Sequence, residues 1–220
     1  MLKDWSNVII PEEEEINERL EKARNKLVQQ QILIMQKKLP VLVSFDGWGA
    51  AGKGSILGKI IKNIDPRFFK VAVMDKPTED EKRRPFLYRY VINIPEAGKF
   101  TFMDGGCLDE VTKQKLSGKI TDEEYKRKIE SVKRFERQLS DNGYLVIKFF
   151  FHIGEQEQRK RLTRLLDDKN TRWRVSEYDW WQNQHYKKSL KAFDQFIDDT
   201  SQSIAPWYIC LLYTSDAADE

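Results

Sequence analysis

From Glu12 to Lys38 the chain runs "EEEEINERLEKARNKLVQQQILIMQKK", with Ile16, Leu20, Ala23 and Leu27 at helical spacing. Acidic residues open this stretch and basic ones close it, which suits the helix dipole, so a long helix over 12–37 is expected. The period then changes. "LPVLVSF" is a short valine-rich run that reads as a buried strand. "FKVAVM", "GKFTFMD", "YLVIKFFFHI" and "APWYI" repeat that signature further on. Helical patterns lie between them. "GSILGKIIKNI" follows the first strand, and a helix opens near Glu79, where Thr78 and Glu81 have capping-box spacing and Pro85 kinks or breaks the run. Thr121 with Glu124 opens another, whose apolar face is Tyr125, Ile129, Val132 and Leu139 and which Gly143 stops. "EQEQRKRLTRLLDD" is a basic helix, and "SEYDWWQNQHYKKSLKAFDQFIDDT" is one capped helix. Strands alternating with helices predict an α/β fold, a mostly parallel sheet covered on both faces.

Composition narrows the class. The 220 residues suit one domain with its own core, 33% charged and 40% hydrophobic as in soluble globular proteins. No run is apolar enough to span a membrane, and the N-terminus lacks a secretory pattern. Two cysteines, Cys107 and Cys210, suit a reducing cytoplasm better than a disulfide framework. His152 and His185 have no metal-ligand spacing, and Trp173, Trp180, Trp181 and Trp207 read as core or lid-hinge packing. The last residues, "CLLYTSDAADE", have no periodicity that continues the preceding strand. They resemble a translated sequencing adapter, so 210–220 is expected to be a non-native tail and the natural protein to continue past Ile209.

The turn after the first strand, "FDGWGAAGKGS", carries the chemistry and has two readings. Gly47, Gly49 and Gly52 spell G-x-G-x-x-G, a dinucleotide fingerprint that would use Asp75 on the ribose. Gly47, Gly52 and Lys53 spell G-x-x-x-x-G-K, a phosphate-binding P-loop. Lys53 favours the second, because a lysine there has a task only on phosphates. The expected cradle is Gly47, Gly49, Ala50, Ala51, Gly52, Lys53, Gly54 and Ser55. Gly54 stands where many P-loops place a Mg²⁺-binding hydroxyl, with Ser55 one position later. Asp104 ends the third strand, where a P-loop enzyme positions a carboxylate near the metal. A run of basic residues from Arg159 to Arg174 reads either as a solvated face or as a lid over an anionic substrate.

Taken together, "FDGWGAAGKGS", "IDPRFFKV", "PTEDEKRRPFLYRYVINIPEAGKFTFMD", "FERQLSDNGYLVIKFFFHIGEQEQRKRL", "TRWRVSEYDWW" and "APWYI" resemble the polyphosphate kinase 2 family, in family order from Val41 to Ile209. The resemblance implies a P-loop kinase-like sheet with a helical arm over 1–39, a domain over 40–209, and a basic helical lid at about 155–180. It implies inorganic polyphosphate as donor, AMP or ADP as acceptor and Mg²⁺ as cofactor. No nucleic acid or membrane is implied as a partner; a homo-oligomer or a lost tandem second domain is compatible with it, since some members join two such domains and the chain looks most like the first. It assigns Lys53 to the phosphates and to catalysis, Asp104 to catalysis and metal, and Arg89, Arg172 and Arg174 to phosphate binding. Asp46, at the end of the first strand, is a further candidate for catalysis and metal, against the alternative that it caps or hydrogen-bonds the loop.

Two departures bear on activity. The family commonly has Asp at the position of Gly49, and an Arg and two aromatics where this chain reads "GGCLDE" after Asp104. Asp46, Asp109 or Glu110 are the candidate substitutes for the missing carboxylate, with no obvious replacement for the arginine. The readings carried forward are therefore four: polyphosphate-dependent transferase, degenerate polyphosphate-binding half, ATP-dependent nucleotide kinase, and dinucleotide binder.

Overall fold

A computed structural model describes residues 2, 12–74 and 76–212. Five parallel strands form one sheet in the order β2-β3-β1-β4-β5: β1 (Val41–Gly47), β2 (Phe69–Val73), β3 (Phe100–Asp104), β4 (Leu145–His152) and β5 (Trp207–Leu211). β1 is central, with Val41 opposite both Phe100 of β3 and Leu145 of β4. Helices cover both faces, so Val41, Leu42, Val43 and Phe45 of β1 are all buried, which explains its unbroken apolar run. From β1 the chain first builds β2 and β3 on one side, then β4 and β5 on the other. That reversal puts a crevice at the C-terminal ends of β1, β3 and β4, where open α/β sheets bind ligands.

The expected helices form, with informative differences. α1 (Glu13–Gln36) buries Gln31 and packs Leu27 and Ile34 on the core, while Leu20 of the expected apolar face stays exposed. α2 (Lys53–Ile61) follows the glycine turn. α3 (Glu79–Arg83) has the predicted capping box and ends because Pro85 drives Arg84 out of helical geometry, to ψ 160°. α4 (Tyr88–Val91) follows that break.

α5 (Cys107–Leu116) is a helix the sequence analysis did not anticipate; it begins directly after two glycines with no side-chain cap. α6 (Asp122–Asp141) buries the predicted face and also Glu136, which meets Lys148 of β4 at 2.8 and 2.9 Å. α7 (Glu155–Asp167) and a short 3₁₀ turn, Arg172–Arg174, lead into α8 (Glu177–Gln184).

The single helix expected over 176–200 is two, α8 and α9 (Tyr186–Thr200), broken at His185. There His185 leaves helical geometry (φ −112°, ψ 36°), and its backbone N–H and imidazole Nδ1 both lie against the Trp181 carbonyl oxygen, at 3.0 and 2.9 Å. β5 also differs from expectation. Cys210 pairs with Phe151 and Leu211 with His152, so the strand runs through the boundary drawn at Ile209. Backbone pairing, indifferent to composition, carries it on. Residues 213–220 and Asp75 lie outside the described residues. No described helix is long and apolar enough to cross a membrane.

Candidate active site

At Gly47 the backbone leaves β1 so close to β4 that a Cβ would stand 2.3 Å from the Phe151 carbonyl oxygen. Only glycine fits. Ala50 (φ 59°) and Gly52 (φ 83°) then adopt left-handed geometry and curl the loop back onto α2. α2 has no acidic residue in its first turn, so no side chain there offsets its leading N–H groups and positive pole. Lys53 folds over this loop, its Nζ donating to the carbonyl oxygens of Gly47 (3.1 Å) and Trp48 (3.0 Å).

Trp48 anchors the turn. Its indole is fully buried, stacks on Tyr186 of α9 at 4.1 Å, meets Phe193 edge-on, and donates from Nε1 to His152 Nδ1 at 3.0 Å. Burial holds His152 below the usual imidazole range, against a pull from Asp194, which keeps Nδ1 an acceptor. The two histidines thus do local structural work, one on the loop and one at the α8–α9 break.

The lid sits on the loop through Gly49. Its N–H donates to Gln182 Oε1 of α8 at 2.9 Å, and its carbonyl accepts from Gln158 Nε2 of α7 at 3.2 Å. Gln158 also donates to Gln182 (3.0 Å) and accepts from Asn183 (3.1 Å), so four amide groups interlock. A Cβ on Gly49 would meet the Asp179 side chain (Oδ1), less than a bond-and-contact distance away. Glycine at 49 is therefore what lets Asp179 lie over the loop. The missing loop side chain and the docked lid carboxylate are one packing fact.

Asp46 is buried among the sheet ends. Its Oδ2 accepts from Ser44 Oγ (2.6 Å) and Oδ1 from the Gly106 N–H (2.9 Å). Burial raises its carboxyl to about 6, opposed by the Ser44 hydrogen bond and assisted by repulsion from Asp109. Burial likewise raises Asp109, opposed by Lys53 and Lys113. Asp104 closes β3 beside Phe45 and Val73.

Two adjoining cavities open here. One, about 220 Å³, is lined by Gly47, Gly49 and Lys53 together with the carboxylates of Asp46, Asp104, Asp109 and Asp179. The other, about 660 Å³, is lined by Lys76, Lys82, Arg89, Lys119, Tyr178 and Trp181 among others. Arg89 is buried within 4 Å of Glu81 and Glu110. The structure thus brings Lys53, Asp46 and Asp104 to one cavity and Arg89 to its neighbour.

Arg172 and Arg174 do not join them. Both are exposed at the lid tip and line neither cavity, and Trp173 between them is 75% exposed rather than packed. The lid cation that approaches the loop is Arg161, whose Nη1 lies 3.9 Å from where a Gly52 Cβ would be. Ala50 and Ala51 shape the turn, and Gly54 and Ser55 are exposed at the head of α2. Nothing in the local sequence marks Gln158, Gln182 or Lys113 as site residues; Asp179 falls in the capped start of the 176–200 segment, where the structure shows it completing a capping box with Ser176. Among the described residues, no three His, Cys, Asp or Glu side chains converge on a metal position.

A parallel sheet, a glycine loop at its switch point, a lysine on that loop and a helical lid define a P-loop protein of the kinase kind. The chain belongs to the polyphosphate kinase 2 family, whose sequence profile, described as "Polyphosphate kinase 2 (PPK2)", matches residues 11–217. A polyphosphate:AMP phosphotransferase of Pseudomonas syringae pv. tomato is 30% identical over 187 residues, 84% of this chain and 38% of that protein. An AMP/ADP-polyphosphate phosphotransferase of Meiothermus ruber is 28% identical over 194 residues, 88% of this chain and 70% of that protein. The crystal structure of polyphosphate kinase 2 from Arthrobacter aurescens superposes with a TM-score of 0.81 at 26% identity, over 86% of this chain and 69% of that one. The chain thus spans well under half of the first of these relatives.

Proposed function

We propose that this chain transfers a phosphoryl group from inorganic polyphosphate to AMP or ADP. The observation that carries the reading is the pair of adjoining cavities, one at the phosphate loop and a larger one beside it bearing cations and aromatic rings. Polyphosphate would meet the α2 N-terminus, Lys53 and Arg161; the nucleotide would occupy the larger cavity, its ring near Tyr178 and Trp181. Transfer then needs in-line placement and charge neutralisation rather than a covalent enzyme intermediate. Lys53 would leave the loop carbonyls of Gly47 and Trp48 for phosphate oxygens.

The donor set fits a divalent cation held jointly with phosphates, since Mg²⁺ takes one or two carboxylates and completes its shell from substrate and water. Asp104 and Asp109 suit that task. Asp46 serves it less well, because Ser44 and Gly106 engage both its oxygens. Mg²⁺ there would neutralise the phosphate oxygens.

A second reading, a binding half with weak chemistry, is favoured by one specific observation: the Gly49 N–H and the Lys53 ammonium are both committed within the protein. Restoring the family residues is not a clean test of it. Asp at 49 would collide with Asp179, and Arg at 105 would have to adopt φ 91° beside Met74.

Donor choice tests the proposal. With AMP or ADP as acceptor and Mg²⁺ present, long-chain polyphosphate is expected to support product formation and ATP to give little. Turnover with ATP alone would replace the reading with an ordinary nucleotide kinase.

A further inference from the structure

Five residues line both cavities: Met74, Gly105, Asp109, Lys113 and Tyr178. Among the described residues, Lys113 is the one cation in that set. Lys53 lines only the loop cavity, whereas Lys76, Lys82, Arg89 and Lys119 line only the larger one. A phosphoryl group passing from a chain on the loop to an acceptor next door must cross this junction. Negative charge accumulates there, on the acceptor's own phosphate and on the group in transit.

Lys113 is built to stand at that point. It lies in the last turn of α5, a helix launched straight from the Gly105–Gly106 pair at the end of β3. Its Nζ sits 4.0 Å from the centroid of the Tyr178 ring, so the stem crosses the gap toward α8 and the ammonium stays at the cavity boundary. Its field reaches Asp109, where it opposes the effect of burial together with Lys53. Asp109 and Lys113 thus line both cavities, and Lys53 lines the loop cavity beside them. Gly105 itself carries no side chain and has φ 91°, so the positive charge on this side of the site comes from α5 two turns later.

We infer that Lys113 binds the acceptor nucleotide's phosphate at the junction of the two cavities and supplies the bridging positive charge during transfer. The inference rests on the polyphosphate-to-nucleotide reading of the same site. It assigns a residue to the acceptor side that neither the loop motif nor the lid arginines provide.

The test measures AMP and ADP binding by calorimetry, without divalent cation, for wild type, Lys113→Met, Lys113→Arg and Lys115→Met. Methionine keeps the stem over Tyr178 and removes the charge; arginine keeps the charge. Lys115 lies on the same helix but lines neither cavity. A hydrogen bond to a charged group corresponds to about 10–100-fold in affinity. Lys113→Met is expected to lose that much, Lys113→Arg to stay within about threefold of wild type, and Lys115→Met to match wild type. The double variant Asp109→Asn/Lys113→Met is expected to remain weak.

Unchanged binding in Lys113→Met overturns the inference, as does an equal loss in the Met and Arg variants, which would mean packing. Recovery in the double variant also overturns it, because Lys113 would then serve only to neutralise Asp109. Long-chain polyphosphate binding to wild type and Lys53→Ala is measured alongside. Polyphosphate bound in a Lys53-dependent way with no nucleotide bound overturns the inference and leaves a polyphosphate-binding reading. Neither ligand bound removes both.

Discussion

Asp46 shows how much one residue's surroundings decide. Aspartate at the end of a strand reads as a catalytic or metal group, yet here it ties Ser44 to the Gly106 N–H beneath the loop. Its folded pKa, raised from 3.8 to about 6, means that folding favours the protonated acid. That contribution is fully present below about pH 4 and is lost as pH rises through about 6, a change of about 3 kcal/mol at most. Asp46→Asn keeps both hydrogen-bonding positions and cannot ionise. Its stability relative to wild type is expected to rise between about pH 4 and 7 by about 1–3 kcal/mol, read by urea denaturation across that range. A flat difference would show that Asp46 is not desolvated as described. Lys148 makes the complementary point inside the sheet, where it meets Glu136 and the Thr200 carbonyl at 2.8–3.0 Å. Lys148→Met strands a buried carboxylate and should destabilise by about 3–5 kcal/mol; pairing it with Glu136→Leu should recover most of the loss. The sequence made Lys53 and Asp104 visible because motif spacing encodes them. It left Lys148 and Glu136 unread, because their pairing depends on which helix face meets which strand.

At the scale of elements, the lid helices and the phosphate loop meet at Gly49. Gly49→Ala places a Cβ against the Asp179 carboxylate and should push α8 off the loop. Hydrogen exchange is expected to accelerate through α7 and α8 and to stay unchanged in β1, β3 and β4. Adding Asp179→Ala should restore much of the protection; acceleration confined to the loop itself would contradict the docking. This contact joins positions 133 residues apart for Gln182 and 109 apart for Gln158, which is why no local pattern announced it. Strands were legible since buried parallel strands are unbroken apolar runs, and three helix starts were legible from their caps. α5 was not, although Leu108, Val111 and Thr112 have helical spacing, because it starts on two glycines without a capping side chain. The break between α8 and α9 escaped because no Gly or Pro marks it: His185 turns to ψ 36° there, and Tyr186 stacks on Trp48, a residue far away in the sequence.

Across the whole molecule, the order of the strands matters more than any one motif. β1 faces its loop into a crevice between two halves of the sheet, α7 and α8 dock on that loop at Gly49, and α5 brings Asp109 and Lys113 to the crevice wall. The fold and family follow from the sheet and the matching profile; the transfer activity of this chain is the central claim built on them. Its most direct test is Mg²⁺-dependent conversion of AMP and ADP by the purified chain with long-chain polyphosphate, wild type beside Lys53→Ala. The account predicts product that falls by about 10²-fold or more in the variant, the usual cost of deleting one electrostatic group at a reacting centre. Product formed equally by both proteins, or by neither, would contradict it.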